Sequence, residues 1–487
     1  MAAREIPSRR VIVVGAGISG LAAGIYARKA GHEVTVFERG AGPGGVSTSW
    51  SRGGYYFEGG LHWLTGSSPA MGMINGLWKE VGALTDNNPI TCADPVYTYV
   101  WQQDGKRKEL KLWRSLDALR DELMREAPED RRAIGRLRRD VSLFCTLLDR
   151  VKGSPAKRIR KILLLLPAFV RLISLTTFST ERYVAAFKNE AVRSLLGSLI
   201  NTKHNALSLL YILTCYALGD SGYPRGGSVQ MARNMADYLL RLGGRIEYGA
   251  RVEKVCVEDG FARGVRIADG REIESDCVIV SADTRKAIDA LLAEPLKDRW
   301  AEKMRRRTES EQCMFITLGI EADLSAYPAA LQLHLDRPLE AAGLQFDVLT
   351  LYNYAGREGY APEGCTSVTV LQHAECYEWW AAARSEGRYE REKAAVVGQV
   401  VSCLEEALPE IRGKVVVREM ATPLTYERFC DTYQGGWMSI WRPRTMPVLL
   451  SGRCSIRGLI FTGQRNMLSG GLPIAVQTGR RAARQIV

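Results

Sequence analysis

The chain has 487 residues, of which 46% are hydrophobic and 25% are charged, proportions that are typical of a soluble globular protein with room for two or three domains. The net charge of +12 indicates an anionic partner, either a membrane surface or an acidic ligand, unless it is only a solvated basic surface. Nucleic acid is not expected as a partner, because no helix-turn-helix, zinc-finger or RNA-binding motif is present.

The eleven cysteines are scattered and form neither a Cys-x-x-Cys pair nor a cluster with histidine. This spacing argues against a zinc or redox-disulfide site, so no metal is expected, and the odd count favours reduced thiols. Residues 1–10 lack the apolar core of a signal peptide, and no apolar run is long enough to span a bilayer. These features predict a cytoplasmic protein without a transmembrane segment.

The first predicted elements have the spacing of a dinucleotide-binding fold. An apolar run of strand length, residues 11–14, leads into the motif Gly15-x-Gly17-x-x-Gly20, and a helical run follows over residues 21–30. Gly15 permits the tight turn, Gly17 lets backbone approach a pyrophosphate, and Gly20 lets the helix pack closely on the strand. The motif alone is weak evidence, but strand, glycines and helix in succession predict a dinucleotide site.

The second strand adds further contacts to this predicted site. The apolar run at residues 34–37 ends in Glu38, a position from which a carboxylate accepts hydrogen bonds from ribose hydroxyls. The start of the first helix offers free N–H groups to phosphates, and Ile18 and Ser19, which precede the helical run, are predicted cofactor contacts. Beyond the acid, the segment from Arg39 to Gly44-Gly45-Val46 forms a paired-glycine loop, which FAD proteins place close to the bound nucleotide.

The next region changes from glycine-rich strands and turns, at residues 53–66, to mainly helical sequence over residues 115–218. Within that helical sequence, residues 157–171 place basic side chains around an apolar run with four successive leucines. The run is too short to span a bilayer, which favours a segment lying in the membrane interface, although a buried core helix has the same pattern.

Short strands return in the middle of the chain. A helix is predicted after Tyr223-Pro224-Arg225-Gly226-Gly227, and strands are predicted at 245–248, 251–257, 264–267 and 277–280. The dipeptides Asp259-Gly260 and Asp269-Gly270 are typical of hairpin turns. Val252 in this block is a predicted cofactor contact, and the last strand returns to the nucleotide-binding pattern.

The C-terminal elements favour FAD over NAD, which the single fingerprint leaves open. A strand at residues 459–461 is followed by Gly463, and Gly470-Gly471-Leu472-Pro473 precedes a helix predicted over residues 474–486. The N-terminus of such a helix stabilises negative charge, and a reduced flavin carries negative charge on its ring. Gln464 is placed to contact the flavin as well.

These elements predict an α/β fold with a discontinuous Rossmann-type FAD-binding domain, formed by residues 1–95, 219–300 and 441–487. An α+β substrate-binding domain, residues 96–218 and 301–440, is predicted to be inserted into it. Its helical subdomain, at about residues 115–218, contains the segment expected to face a membrane.

Together the segments resemble the flavoprotein superfamily of phytoene desaturases, carotenoid isomerases and retinol saturases, which is related more distantly to amine oxidases. The anchors of the resemblance are the fingerprint with Glu38 and Gly44-Gly45, then Tyr223 to Gly227, Thr422-Pro423, Gly435-Gly436, Gly458 to Gly463, and Gly470 to Pro473. The resemblance implies FAD, a long apolar substrate and chemistry at carbon–carbon bonds. Two departures from the desaturase pattern, Val46-Ser47 and the segment from Phe57 to Trp63, put desaturation itself in doubt.

His62 is the first candidate for the acid–base group that such chemistry requires. It follows a Gly-Gly pair in the segment expected to approach the flavin, and imidazole moves protons near neutral pH; the alternative is a buried hydrogen bond. Glu58 is a candidate general acid or a structural anchor. Tyr56 could bind a substrate head group or only pack, and Arg225 could bind phosphate or a carboxylate or only solvate a helix start.

Three functions are consistent with the sequence. The leading hypothesis is an FAD-dependent oxidoreductase that desaturates, saturates or isomerises carbon–carbon bonds of a polyene or isoprenoid lipid taken from a membrane surface. A flavin-dependent fatty-acid double-bond isomerase is the second hypothesis, with Arg225 or a neighbouring base holding the carboxylate. A non-catalytic lipid carrier of the GDP-dissociation-inhibitor type is the third, and the complete fingerprint argues against it.

Overall fold

The computed structural model describes residues 7–148, 166–445, 452–467 and 470–486. In these residues the strands are β1 (Arg10–Val14), β2 (Glu33–Glu38), β3 (Ser49–Arg52), β4 (Tyr55–Glu58), β5 (Ile90–Thr91), β6 (Tyr97–Gln103), β7 (Lys106–Leu112), β8 (Tyr223–Pro224), β9 (Arg245–Tyr248), β10 (Val252–Glu258), β11 (Phe261–Ile267), β12 (Glu272–Glu274), β13 (Cys277–Val280), β14 (Ser310–Glu311), β15 (Cys313–Ile320), β16 (Ala330–Ala341), β17 (Leu344–Asn353), β18 (Thr366–His373), β19 (Val415–Ala421), β20 (Met438–Ser439) and β21 (Leu459–Phe461).

The α-helices of the same residues are α1 (Ile18–Lys29), α2 (Met73–Glu80), α3 (Leu116–Glu126), α4 (Arg131–Leu148), α5 (Leu166–Leu175), α6 (Thr180–Val184), α7 (Glu190–Gly197), α8 (Ala206–Ala217), α9 (Gly227–Arg241), α10 (Thr284–Ala290), α11 (Arg299–Arg307), α12 (Tyr377–Ser385), α13 (Tyr389–Ala407), α14 (Pro423–Cys430) and α15 (Gly471–Ala483). Short 3₁₀ turns lie at Pro69–Met71, Pro128–Asp130, Pro409–Ile411, Tyr433–Gly435 and Gln464–Asn466.

A parallel five-stranded sheet, in the order β21-β13-β1-β2-β9, forms the first half of the fold. Its central strands β1 and β13 are almost continuous runs of buried Val and Ile, as expected of parallel strands covered on both faces. The predicted Rossmann-type sheet is therefore confirmed. Because all five strands run the same way, their carboxyl ends meet at one edge, where open α/β sheets bind ligands.

Both faces of this sheet are covered. On one face α1, α9 and α15 contribute buried side chains such as Leu21, Leu239 and Val476 to one apolar cluster. On the other face lie β10 to β12 with α10 and α11, and α11 contributes Met304 to a second cluster. The turn at Asp259-Gly260 joins β10 to β11 as predicted, with both residues at positive φ, the conformation of a tight hairpin turn.

A mixed seven-stranded sheet, in the order β19-β15-β18-β17-β16-β6-β7, forms the second half. Strands β6 and β16 run parallel, and the other neighbours run antiparallel. Helices α12 and α13 pack against it through Trp380 and Leu404. Strands β6 and β7 also pack against the helices of the region 116–217, where Leu110 and Leu209 belong to one buried cluster.

Two predicted helices begin earlier than their apolar patterns indicated. Helix α1 starts at Ile18 instead of residue 21, and α15 starts at Gly471 instead of residue 474. Glycine-rich segments show no apolar periodicity, so the sequence pattern does not include them in the helix. Their backbone groups nevertheless belong to its first turn, where the Leu21 N–H donates to the Gly17 carbonyl at 2.9 Å.

No helix of the described residues combines the length and apolarity needed to cross a bilayer. Of the predicted membrane segment 157–171, residues 157–165 lie outside the described residues, and the remainder belongs to α5.

Candidate functional site

A cavity of about 1040 Å³ extends from the carboxyl edge of the parallel sheet to the seven-stranded sheet and α8. This volume is at the upper end of the range for small-ligand sites, so it has room for a nucleotide and a second, apolar molecule. The predicted cofactor contacts that line it are Gly15, Gly17, Ile18, Ser19, Glu38, Arg39, Gly44, Gly45, Val46, Val252, Gly463, Gly470, Gly471 and Leu472. Gly20 is not among the lining residues.

The paired-glycine loop lies directly against the fingerprint turn. Gly44 forms a bridge with Gly17, and its N–H donates to the Ala16 carbonyl at 3.0 Å. A Cβ on Gly44 would lie 2.3 Å from the Ser47 carbonyl oxygen, and one on Gly20 would lie 2.0 Å from the Gly15 carbonyl oxygen. Glycine is therefore required at both positions, at Gly20 for helix-to-strand packing and at Gly44 for the tight turn that leads to Ser47.

Two helices begin at this cavity without a capping side chain. Helix α1 follows Gly17 and α15 follows Gly470, and neither N-terminus has a side-chain hydrogen bond or an acidic residue in its first turn. Their free N–H groups and positive dipole ends therefore favour anionic ligand groups. One such N-terminus suits the phosphates of a dinucleotide, and the other suits a ring that becomes negatively charged on reduction.

Glu38 and Arg39 are held in place at the end of β2. The Glu38 carboxylate accepts the N–H groups of Ala16 at 2.8 Å and Gly40 at 2.7 Å. The Arg39 guanidinium donates to the carbonyl oxygens of Arg428 and Phe429 at 2.8 and 2.6 Å. The carboxylate is thus fixed at the cavity wall, where a ribose hydroxyl could bind it.

Buried oxygen atoms without a protein partner add to the fit for a polar cofactor. Among the described residues, Ser281 Oγ, at the carboxyl end of β13, and Gln464 Oε1, after β21, have no hydrogen-bond partner, and both residues line the cavity. Gln464 is held by its Nε2, which donates to the Trp437 carbonyl at 3.0 Å. The residues present therefore fit a dinucleotide with a redox ring.

The remainder of the cavity, the apolar lobe, is lined mainly by aromatic and aliphatic side chains. They are Trp63, Ile74, Tyr97, Phe144, Leu199, Ile200, Leu207, Tyr211, Ile212, Phe315, Tyr352, Leu371, Trp437 and Trp441. The described Lys and Arg residues of the cavity lining all lie in segments around the parallel sheet: Arg39, Arg251, Lys254, Arg266, Lys286 and Arg465. The apolar lobe thus suits an uncharged, apolar ligand.

His62 lies in the lining of this cavity, within a stack of aromatic rings. Its ring is parallel to Tyr352 at 3.8 Å between centroids and stacks more loosely on Phe315 at 5.7 Å. Burial, with the charge of His373, lowers the pKa of His62 to about 3. The ring is therefore neutral at physiological pH, which makes it a weak proton acceptor.

The other three predicted catalytic residues are not part of the cavity lining. Glu58 is fully buried and accepts hydrogen bonds from Ser228 Oγ at 2.6 Å and from the Gly60 N–H at 2.8 Å; burial raises its pKa. Tyr56 Oη donates to Ser49 Oγ at 2.6 Å. Arg225 is exposed and forms an ion pair with Glu358. Each of these contacts is of the kind that holds a side chain in place in the fold.

A buried cluster of His204, Glu311 and His373 lines the cavity and was not predicted from the sequence. His204 Nε2 and His373 Nδ1 each contact one oxygen of the Glu311 carboxylate, the second at 3.0 Å. Burial alone would raise the pKa of Glu311, but the two histidines outweigh it and lower this pKa to about 2. The available sequence signal was a histidine at the end of a run rich in Val and Thr, residues 366–372, which is typical of a strand.

Comparison with known proteins gives a family model that covers the chain almost entirely. The model described as flavin containing amine oxidoreductase matches residues 18–487. Prolycopene isomerase 1 of an Oncidium hybrid cultivar is 24% identical over 482 residues, covering 93% of this chain and 79% of the relative. The lycopene-forming phytoene desaturase of Pseudescherichia vulneris is 24% identical over 451 residues, covering 89% of each chain.

Solved structures share the fold. An oxidoreductase from Methanosarcina mazei superposes with a TM-score of 0.65 at 18% identity, covering 96% of this chain and 99% of its own. At that identity the likeness is one of fold, and the chemistry has to be argued from the site.

Proposed function

The chain belongs to the family of flavin-containing amine oxidoreductases and is an FAD-dependent enzyme, and we propose that it acts on carbon–carbon bonds of a long apolar polyene or isoprenoid lipid. The observation that carries the proposal is the continuity of one cavity from the cofactor contacts to the apolar lobe. FAD supplies two-electron chemistry when it is bound. The apolar lobe would bind the substrate by burying its surface, and the names of the desaturase and isomerase relatives agree with such a substrate.

The two rival hypotheses have less support. A fatty-acid isomerase needs a cation for the substrate carboxylate, and the predicted cation, Arg225, is exposed and paired with Glu358. The described cationic side chains of the cavity all lie around the parallel sheet. A non-catalytic lipid carrier has no need of the complete set of cofactor contacts, and the matching family consists of flavin enzymes.

Lipid that copurifies with the enzyme tests this proposal. We expect extraction of the freshly purified flavoprotein, followed by mass spectrometry, to yield a neutral polyene or isoprenoid. A Leu207→Trp variant, which narrows the apolar lobe, should carry several-fold less of it with unchanged FAD. Leu240→Trp, on an exposed part of α9 outside the cavity lining, is the matched control. A predominance of fatty acid in the wild-type extract would refute the proposal.

We also propose that the enzyme takes its lipid from a membrane surface through α5. Three large apolar side chains of this helix are exposed, Phe169 by 45%, Val170 by 62% and Ile173 by 64%. A helix with such a face lies in the interfacial layer of a bilayer, and the net charge of +12 would attract anionic lipid.

Vesicle binding tests this second proposal. A Phe169→Ser, Ile173→Ser double variant should bind anionic phosphatidylserine-containing vesicles at least about 10-fold more weakly, because each side chain contributes about 1.5 kcal/mol or more when buried. A Leu344→Ser, Val416→Ser variant removes two exposed apolar side chains elsewhere and should bind as the wild type does. Added salt should weaken binding. Equal binding by both variants would contradict the proposal.

A further inference from the structure

We propose that His373 exchanges a proton with the substrate, and that Glu311 and His204 are positioning residues that hold its ring. This inference rests on the proposed carbon–carbon chemistry and assigns its acid–base group. Three separate segments supply the cluster: His204 precedes α8, Glu311 ends β14 and His373 ends β18. All three residues line the same cavity as the predicted cofactor contacts.

The hydrogen bonds of His204 determine which of its nitrogens carries the proton. The backbone N–H of Trp441 donates to His204 Nδ1 at 3.2 Å, so Nδ1 is an acceptor. The proton is therefore on Nε2, which donates to Glu311 Oε2. With both nitrogens occupied and 1% of its side chain exposed, His204 holds the carboxylate and does not react.

His373 is the member of the cluster that can reach a ligand. Its Nδ1 lies 3.0 Å from Glu311 Oε1, and 21% of its side chain is exposed. No hydrogen bond from the described residues occupies its Nε2. The Nδ1–Oε1 contact lacks the geometry of a hydrogen bond, but a buried carboxylate 3.0 Å from one imidazole nitrogen stabilises the imidazolium that forms when the other nitrogen takes a proton. His62, the predicted alternative, has no such carboxylate.

The charged and titratable groups near His373 come from four other segments. Glu311 contacts it from β14, His62 faces it from the segment after β4, and Cys313 is its register partner on β15. His204 shares the same carboxylate. At the surface, Lys203 and Glu375 form an ion pair at 2.7 Å. Lys203 directly precedes His204 in the chain, and Glu375 lies two residues after His373. Glu311 is thus the buried negative charge closest to the ring.

In the desaturating direction the step is balanced with FAD as the oxidant. FAD, when bound, would supply the two-electron oxidation by accepting hydride from one substrate carbon, and His373 Nε2 would take the proton from the neighbouring carbon. The electron pair of the second C–H bond becomes the new π bond, the substrate is oxidised, and the flavin is reduced. His373 leaves the step as an imidazolium paired with Glu311, and the saturating direction reverses each transfer.

Chemical modification of the holoenzyme tests the geometry without any substrate. Diethyl pyrocarbonate, with peptide mass spectrometry, should acylate His373 and leave His204 unmodified. In Glu311→Gln the rate at His373, measured in mildly alkaline buffer, should fall at least about threefold, because the ring loses the adjacent carboxylate that polarises it and makes Nε2 nucleophilic. The rate at His334, which lies outside the cavity lining, should not change. Protection of His373, or equal His373 rates in the two proteins, would overturn the proposal.

Turnover of a polyene tests the assigned role. His373→Gln should lower the rate by about 100-fold or more, and His334→Gln should keep it, with FAD content equal in all proteins. Glu311→Gln should lower the rate by about 10-fold and displace the pH–rate profile to lower pH. Glu311→Asp should recover part of the rate and part of the original pH dependence. A packing defect would lower the rate at every pH by the same factor and leave the position of the profile unchanged. More than half of the wild-type rate in His373→Gln would overturn the proposal. If the wild-type enzyme converts no polyene, the proposed function fails, and the modification experiment still decides the geometry.

Discussion

Gly44→Ala is expected to purify without bound FAD. Gly44 adopts φ of +130°, and a Cβ at this position would lie 2.3 Å from the Ser47 carbonyl oxygen. Because that atom is backbone, the tight turn from Gly44 to Ser47 must change shape, and this turn begins at the residue that forms the bridge to Gly17. Strain and overlap of about 3 kcal/mol correspond to FAD binding at least about 100-fold weaker, measured as flavin absorbance per protein and by FAD titration.

Gly42→Ala provides the matched control for this prediction. Gly42 lies in the same loop, is exposed, and has no atom within 4 Å of an added Cβ. It should therefore retain FAD at the wild-type level. Normal flavin content in Gly44→Ala would show that the paired-glycine loop does not hold the cofactor.

Arg465→Met is expected to lower the free energy of unfolding by about 3–5 kcal/mol, because it leaves Asp283 as a buried charge without its partner. The two side chains are 2% and 5% exposed, and Arg465 Nε lies 2.8 Å from Asp283 Oδ2. Arg465 also donates to Ser439 Oγ at 3.1 Å and to the Gly436 carbonyl at 3.2 Å. It therefore joins the segment after β21 to the segment after β13 and to the residues around β20.

Urea unfolding of the holoenzyme measures this loss, and an exposed ion pair supplies the control. Lys297 and Glu294 lie 2.7 Å apart with 82% and 76% of their side chains exposed, so Lys297→Met should change stability by less than about 1 kcal/mol. A loss below about 1 kcal/mol in Arg465→Met would mean that the buried pair does not hold these segments together.

The cofactor half of the site could be predicted because it depends on local sequence. Gly20, Gly44 and Gly470 occupy backbone positions that few other residues tolerate, and such glycines are visible in the sequence itself. Glu38 was predictable for the same reason, since it ends a strand that the apolar pattern marks. The starts of α1 and α15 were misplaced because glycines carry no periodicity.

The acid–base half could not be predicted, because long-range packing creates it. His204, Glu311 and His373 are 107 and 62 residues apart in successive steps, and only the folded chain brings them to one carboxylate. His62 and Glu58 were predicted instead because both lie close to the glycine pair Gly59-Gly60 in the sequence. In the structure the Glu58 carboxylate, which does not line the cavity, accepts hydrogen bonds from five groups: the N–H groups of Gly60, Leu61 and Ser228 and the hydroxyls of Tyr223 and Ser228.

We propose that one cavity binds both FAD and an uncharged polyene for carbon–carbon chemistry. The most direct test of this proposal is to mix the oxidised holoenzyme, without oxygen, separately with prolycopene, phytoene, an unsaturated fatty acid and putrescine. We expect the absorption spectrum of a polyene to change as its double bonds move or increase in number, with no change from fatty acid or amine. Unchanged polyenes, together with bleaching of the flavin by putrescine or conversion of the fatty acid, would contradict the account.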